Sequence, residues 1–121
     1  MVDIRHKQQQ NDGVNWKCGA VCLEMIYDYF RIEYDCNQIW DSIKSKRYKN
    51  SIQMYSLTYK LAQDAISRGL PATIYKGNDA YILEDVDKLQ TPAILSIKEK
   101  KSRESHFVVF QGIKNQKYCF C

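Results

Sequence analysis

The stretch that decides the fold is CGAVCLEMIYDYF, residues 18–30. Its apolar side chains recur at every fourth position in two adjacent rows, which predicts a broad apolar stripe on an α-helix. The two rows are Val21, Met25 and Tyr29, and Cys22, Ile26 and Phe30. Because little of this helix is polar, we expect it to be buried at the centre of the molecule.

Two further helices are predicted before the apolar period changes. One covers residues 36 to about 46. The other begins near Ser56 and ends at Gly69, with Pro71 two positions later, which is the usual punctuation of a helix C-terminus. Its predicted apolar face comprises Leu57, Leu61, Ala65 and Ile66.

Beyond Pro71 the pattern is typical of strands. We expect strands over residues 72–75, 93–97, 106–113 and 118–121, a short helix or turn over residues 79–87, and a hairpin loop over residues 114–117. Residues 1–17 are predicted to be irregular, because they include the turn-forming sequence Asn11-Asp12-Gly13. Helices followed by antiparallel strands indicate an α+β fold.

Length and composition describe one globular domain. The chain has 121 residues, of which 45% are hydrophobic and 26% are charged, with only 5 glycines and 2 prolines. A chain of this length has room for one core and buries roughly two-thirds of its unfolded surface. We therefore expect a single domain over residues 1–121, and the composition excludes a mainly disordered or low-complexity protein.

The charge pattern does not indicate a nucleic-acid partner. The net charge is +4, and the basic residues form two clusters, at Lys44, Lys46, Arg47 and Lys49, and at Lys98, Lys100, Lys101 and Arg103. The second cluster is interrupted by Glu99 and Glu104, and no RNA- or DNA-binding motif accompanies either one. Solvated faces or loops are therefore the expected role of both clusters.

The sequence also indicates the cellular compartment in which the protein is expected. No apolar run approaches the ~18 residues that a membrane-spanning helix needs, and residues 1–15 lack the apolar stretch of a secretory signal. The 5 cysteines are odd in number and match no small secreted disulfide framework. We expect reduced thiols and a cytoplasmic location.

Two residues are candidates for chemistry. Cys18 lies at the predicted N-terminus of the apolar helix, where unpaired backbone N–H groups and the helix dipole favour a thiolate, the nucleophilic form. The small residues Gly19 and Ala20 behind it would let a peptide backbone lie close. His106 begins an apolar strand, and a strand end can hold an imidazole rigidly towards a cleft, as a general base requires.

Each of these residues also has an ordinary structural interpretation. A cysteine at a helix start is commonly a small buried hydrophobic residue, and a histidine before a strand is commonly a surface or core residue. Cys22, one helical turn after Cys18, is expected to point into the core. Cys18, Cys22, Cys119 and Cys121 together offer four thiols for zinc, although a C-x₃-C on a helix with a C-x-C on a strand is not a usual zinc spacing.

Two longer stretches point to one family. The sequence QNDGVNWKCGAVCLEMI, residues 10–26, resembles the nucleophile motif of the C39 peptidases, papain-like enzymes that include bacteriocin-processing, double-glycine leader peptidases. The sequence SHFVVFQGI, residues 105–113, resembles the histidine strand of that family. A helix closed by Gly-Leu over residues 56–70 and the Pro-led TPAI at residues 91–94 also resemble the family pattern, in the right order.

The resemblance implies a papain-like domain, with N-terminal helices packed on a C-terminal antiparallel sheet. Cys18 would attack the scissile carbonyl and His106 would accept and return the proton. The Cys18 backbone N–H and a glutamine side chain would hold the oxyanion, and an acidic or amide residue would orient the imidazole. Gln10 is the nearest glutamine before the cysteine, and no cofactor or metal is implied.

The sequence departs from the family pattern at two points. The family glutamine usually lies about two residues closer to the cysteine than Gln10 does, so a bulge through Gly13-Val14 would be needed; Gln8 and Gln9 lie farther away. The family's orienting aspartate would fall just beyond Cys121, and no aspartate follows His106. Either the chain ends immediately before the acid, as a domain truncated at its C-terminus, or this copy has lost the acid.

Three functional hypotheses follow. The leading one is a cysteine peptidase that cleaves leader peptides after small residues such as Gly-Gly, with an ABC transporter as a candidate partner. The alternative is a non-catalytic C39-like domain that binds a peptide or leader. The third is a structural zinc domain.

Overall fold

The computed structural model describes residues 2–7, 17–46, 54–76, 81–98 and 105–121. The elements in chain order are α1 (Cys18–Phe30), α2 (Cys36–Ile43), β1 (Lys44–Lys46), β2 (Met54–Ser56), α3 (Thr58–Ser67), α4 (Tyr81–Leu89), β3 (Ala93–Lys98), β4 (Ser105–Lys114) and β5 (Lys117–Phe120). The four helices of the described ranges precede a three-stranded antiparallel sheet, so the predicted α+β class is confirmed.

Helix α1 is the centre of the core, as its apolar stripe predicted. Most of its first ten residues are buried, and it packs against strand β4 and helices α2 and α3. It ends at Arg31, whose left-handed backbone (φ 58°) closes the helix. The predicted stripe does not extend to the last turn, because Tyr29 and Phe30 are exposed.

The C-terminal sheet has the order β3-β4-β5, with β4 in the middle. Strand β3 pairs with β4 so that Ile97 lies opposite His106. The β4–β5 hairpin turns through Asn115 (φ 52°) and Gln116 (φ 64°), a pair of left-handed residues typical of a type I′ turn. The predicted strands over residues 93–97, 106–113 and 118–121 and the hairpin between the last two are confirmed.

Three local predictions are wrong. The second helix ends at Ile43 rather than near residue 46, because residues 44–46 pair with residues 54–56 as a short antiparallel ribbon. The predicted strand over residues 72–75 has no regular structure, and no described strand pairs with it. On α3, Leu61 and Ala65 face the core, but Ile66 is 55% exposed, because one residue along a helix turns the side chain by about 100°.

The N-terminal segment contributes to the core. Residues 2–7 form no helix or strand, in agreement with the predicted irregular segment, yet Val2 and Ile4 are buried. The Val2 N–H donates to the Gln111 carbonyl (2.8 Å), and the Gln111 side chain donates to the Ile4 carbonyl (3.2 Å). Gln111 lies at the irregularity in the β4–β5 register between Phe110 and Gly112. A break in one ladder therefore supplies backbone and side-chain partners for a distant segment.

A buried polar network joins α1 to α3. The Asp64 carboxylate, only 3% exposed, accepts a hydrogen bond from the Tyr27 hydroxyl (2.5 Å) and one from Arg68 Nε (3.0 Å). Burial and the neighbouring Asp64 charge raise the pKa of Tyr27, so its hydroxyl stays protonated and remains a donor. The charge on Asp64 is thus compensated by two donors, as a buried carboxylate requires.

Candidate active site

Cys18 is the first residue of helix α1, where the sequence placed it. Its thiol is free and half-buried, so the sulfur is not enclosed in hydrocarbon. The first turn forms normally, with the Val21 N–H donating to the Lys17 carbonyl at 3.0 Å. N–H groups of the first turn that lack a partner within the helix lie beside this thiol, as at any helix N-terminus.

His106 is the second residue of strand β4 and its side chain is exposed. The next residue, Phe107, is buried and packs over the start of helix α1. A β-carbon built on Gly19 would lie 3.3 Å from Phe107 Cδ2 and 3.5 Å from both δ-carbons of Leu61. The space that Gly19 leaves is therefore taken up by core side chains, and it is not open to the expected peptide backbone.

The structure brings Cys18 and His106 into the lining of one open cleft of about 250 Å³. The cleft lies where α1 meets β4, and the N-terminal segment and Cys121 complete its wall. The other lining residues are His6, Lys7, Val21, Cys22, Met25, Phe107 and Val108. Two residues far apart in the chain thus share one cavity, as a nucleophile and its base must.

The remaining residue of the predicted site lies outside the described residues. Gln10, like Gln8 and Gln9, belongs to the range 8–16, so its predicted place at the oxyanion stays a prediction. Within the described ranges, the cleft lining contains no carboxylate and no amide side chain. The group that would orient the imidazole is therefore not among the described residues that line the cleft.

Cys22 is a buried core residue at the wall of the cleft, as predicted. It is 2% exposed, and this burial, with the Cys18 and Cys121 thiols nearby, raises its pKa to about 12. A buried thiol with so high a pKa stays protonated at neutral pH, so Cys22 is a packing residue and not a second nucleophile. Cys36 is exposed on α2, and its hydrogen bond to Glu24 raises its pKa as well.

The contacts that Cys121 makes in the cleft were not predicted from the sequence. Its sulfur lies 3.4 Å from His6 Nδ1 and 3.6 Å from Met25 Sδ, and burial raises its pKa. His6 was not a candidate at the level of sequence. The only signal was the alternation of Val2, Ile4 and His6, which is typical of an extended segment with one face towards the core.

The proposed four-cysteine zinc site does not form. No group of three His, Cys, Asp or Glu side chains in the described ranges is placed to hold a metal ion. Cys119 donates weakly to the Lys117 carbonyl (3.8 Å), whereas Cys121 lies at the cleft beside His6. The two cysteines of the C-x-C therefore take part in different contacts.

Lys44 is the residue of the two basic clusters whose side chain is described. Lys44 forms an ion pair with Asp41 (2.7 Å), as expected for a solvated face, and the other side chains of the two clusters lie outside the described part of the chain. Among the helices described, none has the length and apolar character needed to cross a bilayer.

Comparison with protein families identifies the family of this chain. A family model described as the peptidase C39 family matches residues 3–120, nearly the whole chain. Searches of curated proteins and of solved structures found no match. The family match covers both helix α1 with Cys18 and strand β4 with His106. On this evidence the chain belongs to the peptidase C39 family, a family of cysteine peptidases.

Proposed function

We propose that this protein is a cysteine peptidase in which Cys18 is the nucleophile and His106 the general base. The observation that carries the proposal is that these two residues, on α1 and β4, line the same cleft. The family match supports the reaction type, and the arrangement of helices on an antiparallel sheet is compatible with a papain-like fold.

The proposed reaction follows from the two groups. His106 takes the Cys18 thiol proton, and the thiolate sulfur forms a bond to the scissile carbonyl carbon. The resulting oxyanion accepts a hydrogen bond from the Cys18 backbone N–H, with Gln10 as the proposed second donor. Loss of one such donor elsewhere costs about 10²–10³-fold in rate. His106 then returns the proton to the leaving amine, and water hydrolyses the acyl-enzyme.

The substrate that we propose is a leader peptide with small residues, such as Gly-Gly, before the cleaved bond. The cleft is open and passes beside Val21 and Val108, so an extended chain has access to both Cys18 and His106. The proposed partner is therefore a peptide, presented by itself or by an ABC transporter that exports it.

Alkylation with iodoacetamide tests the nucleophile directly. Cys119 is the matched comparison, because it is a free thiol that is half-buried, as Cys18 is, but lies outside the cleft. We expect Cys18 to alkylate faster than Cys119 at neutral pH, mapped by peptide mass spectrometry, and His106→Ala to remove the difference. Equal rates in the wild-type protein would refute an activated thiolate at Cys18.

A non-catalytic peptide-binding domain is the alternative that one observation favours. The described lining of the cleft has no carboxylate or amide to orient His106. A panel of Gly-Gly peptides separates the two functions. Turnover that is abolished by Cys18→Ala supports the peptidase, whereas binding without turnover, unchanged by the same substitution, supports the binding domain.

A further inference from the structure

Two soft sulfur donors and one imidazole nitrogen lie together at one side of the cleft, and none of them belongs to the proposed catalytic pair. Cys121 Sγ lies 3.4 Å from His6 Nδ1 and 3.6 Å from Met25 Sδ. The three side chains come from the N-terminal segment, helix α1 and the residue after strand β5. All three line the same cavity, so their donor atoms share one accessible space.

The separations suit donors of a single metal ion. Metal–sulfur bonds of about 2.3 Å and metal–nitrogen bonds of about 2.0–2.1 Å, with angles of about 110–120° between ligands, put two donors of one ion about 3.5–4.0 Å apart. The two sulfur-centred distances here, 3.4 and 3.6 Å, are close to that range. An ion bound to Cys121 Sγ would therefore have both Met25 Sδ and His6 Nδ1 at separations from that sulfur that suit a second ligand.

Each of the three donor residues is fixed in position by burial, by backbone hydrogen bonds or by neighbouring residues that are anchored. Met25 is 3% exposed within α1, and Cys121 exchanges two backbone hydrogen bonds with Val109 (2.8 and 3.2 Å). The segment that carries His6 is anchored before it by the buried Ile4. It is anchored after it by Lys7, which pairs with Asp28 at 3.0 Å.

The chemical character of the three donor groups favours one kind of metal ion over others. A thiolate, a thioether and an imidazole together favour Cu(I), because soft sulfur ligands prefer soft cations. Zinc sites use Cys, His and carboxylate ligands, and no group of three such side chains occurs in the described ranges. The site that these residues form is therefore suited to copper and not to the four-cysteine zinc arrangement.

We propose that His6, Met25 and Cys121 bind one Cu(I) ion. Binding replaces the proton on Cys121 Sγ, which passes to solvent, and forms bonds from copper to the two sulfurs and to His6 Nδ1. Copper stays in the +1 state, so no oxidant or reductant takes part. His6 is exposed, which leaves the ion a route from solvent. The proposal does not depend on peptidase activity, because neither Cys18 nor His106 is a ligand.

Competition with a bicinchoninate chelator under anaerobic conditions tests the site. The probe is Cu(I) itself, titrated into the 121-residue chain with the chelator as colorimetric competitor. We expect one Cu(I) per chain in the wild type. Cys121→Ser and Met25→Leu should each weaken the binding by roughly 10–100-fold or more, since loss of a residue that merely supports a ligand already has that effect. Cys119→Ser and Cys18→Ala are matched controls and should bind as the wild type does.

X-ray absorption at the copper edge keeps the test independent of stability. The expected spectrum of the loaded wild-type protein shows two sulfurs and one imidazole nitrogen, and Met25→Leu removes one sulfur. The proposal is overturned if Cys18→Ala or Cys119→Ser weakens Cu(I) binding as much as Cys121→Ser does. It is also overturned if the wild type competes with the chelator no better than Cys121→Ser, or if Zn(II) is retained more tightly than Cu(I).

Discussion

Phe107 lies over Gly19 where helix α1 meets strand β4, so closely that a β-carbon at position 19 would be 3.3 Å from Phe107 Cδ2. Each of these residues directly follows a proposed catalytic residue, Cys18 or His106. This close approach therefore lies directly beside both residues that carry the proposed chemistry.

Gly19→Ala tests this contact. A methyl group gains helix propensity, at most about 1 kcal/mol, but it presses on the buried Phe107, and overpacking of this kind costs about 1–3 kcal/mol. We expect a net loss of about 1 kcal/mol in the free energy of unfolding, measured by urea denaturation. Phe107→Leu in the Gly19→Ala background should recover part of the loss. A variant as stable as the wild type would show that the contact is not tight.

The proposed catalytic pair predicts a specific pattern of activity. His106→Ala should lower kcat/KM for a Gly-Gly peptide by about 10²–10⁴-fold, the usual contribution of a general base. Because nucleophile and base act as a unit, the double variant with Cys18→Ala should be no slower than Cys18→Ala alone. Cys119→Ser is the control and should retain activity. Losses that add in the double variant would contradict a shared step.

Cys22 predicts a loss of stability at alkaline pH. Burial raises its folded pKa to about 12, whereas a cysteine in the unfolded chain titrates near pH 8.5. The unfolded chain therefore loses the Cys22 proton at a lower pH than the folded protein does. The contribution of Cys22 to the free energy of unfolding is fully present below pH 8.5 and decreases as the pH rises towards 12. Between pH 8 and 10 we expect reduced wild-type protein to lose about 2 kcal/mol more than Cys22→Ala, by urea unfolding. Parallel pH profiles of the two proteins would contradict this.

Removing a tyrosine hydroxyl should destabilise the protein more at the buried Asp64 network than at an exposed site. Tyr27→Phe removes a donor from the buried Asp64 carboxylate and should cost about 1.5–3 kcal/mol, as for hydrogen bonds to charged groups. Tyr34→Phe is the matched control, because its hydroxyl bonds the exposed Asp28 (2.9 Å), where water can replace it. Its cost should stay below about 1 kcal/mol. Equal changes in the midpoint of thermal unfolding would argue against a special role for the buried pair.

The β4–β5 turn offers a stabilising substitution. Gln116 has a left-handed backbone (φ 64°), which costs a residue with a side chain about 1 kcal/mol. Gln116→Gly creates an Asn-Gly sequence suited to a type I′ turn and should raise the free energy of unfolding by about 0.5–1 kcal/mol. Lys114→Gly, within strand β4, should lower it by a similar amount. A lower stability for Gln116→Gly would contradict the turn assignment.

The sequence by itself determined the elements whose signals are local. The four-residue spacing of Val21 with Met25 and of Cys22 with Ile26 marked α1, and the continuous apolar run that follows His106 marked β4, because such signals act over a few residues. The same reasoning put Cys18 at a helix start and His106 at a strand start. It failed at Ile66, where the partner surface, and not the apolar character, decides which side is buried.

Only the tertiary structure decided what lies beside these residues. The pairing of β1 with β2, the burial of Val2 and the approach of His6 to Cys121 join segments with no local signal in common. Such contacts depend on which surfaces remain to be covered once α1 and β4 have packed. That outcome is set by the shape of the whole core, and no spacing within one segment encodes it.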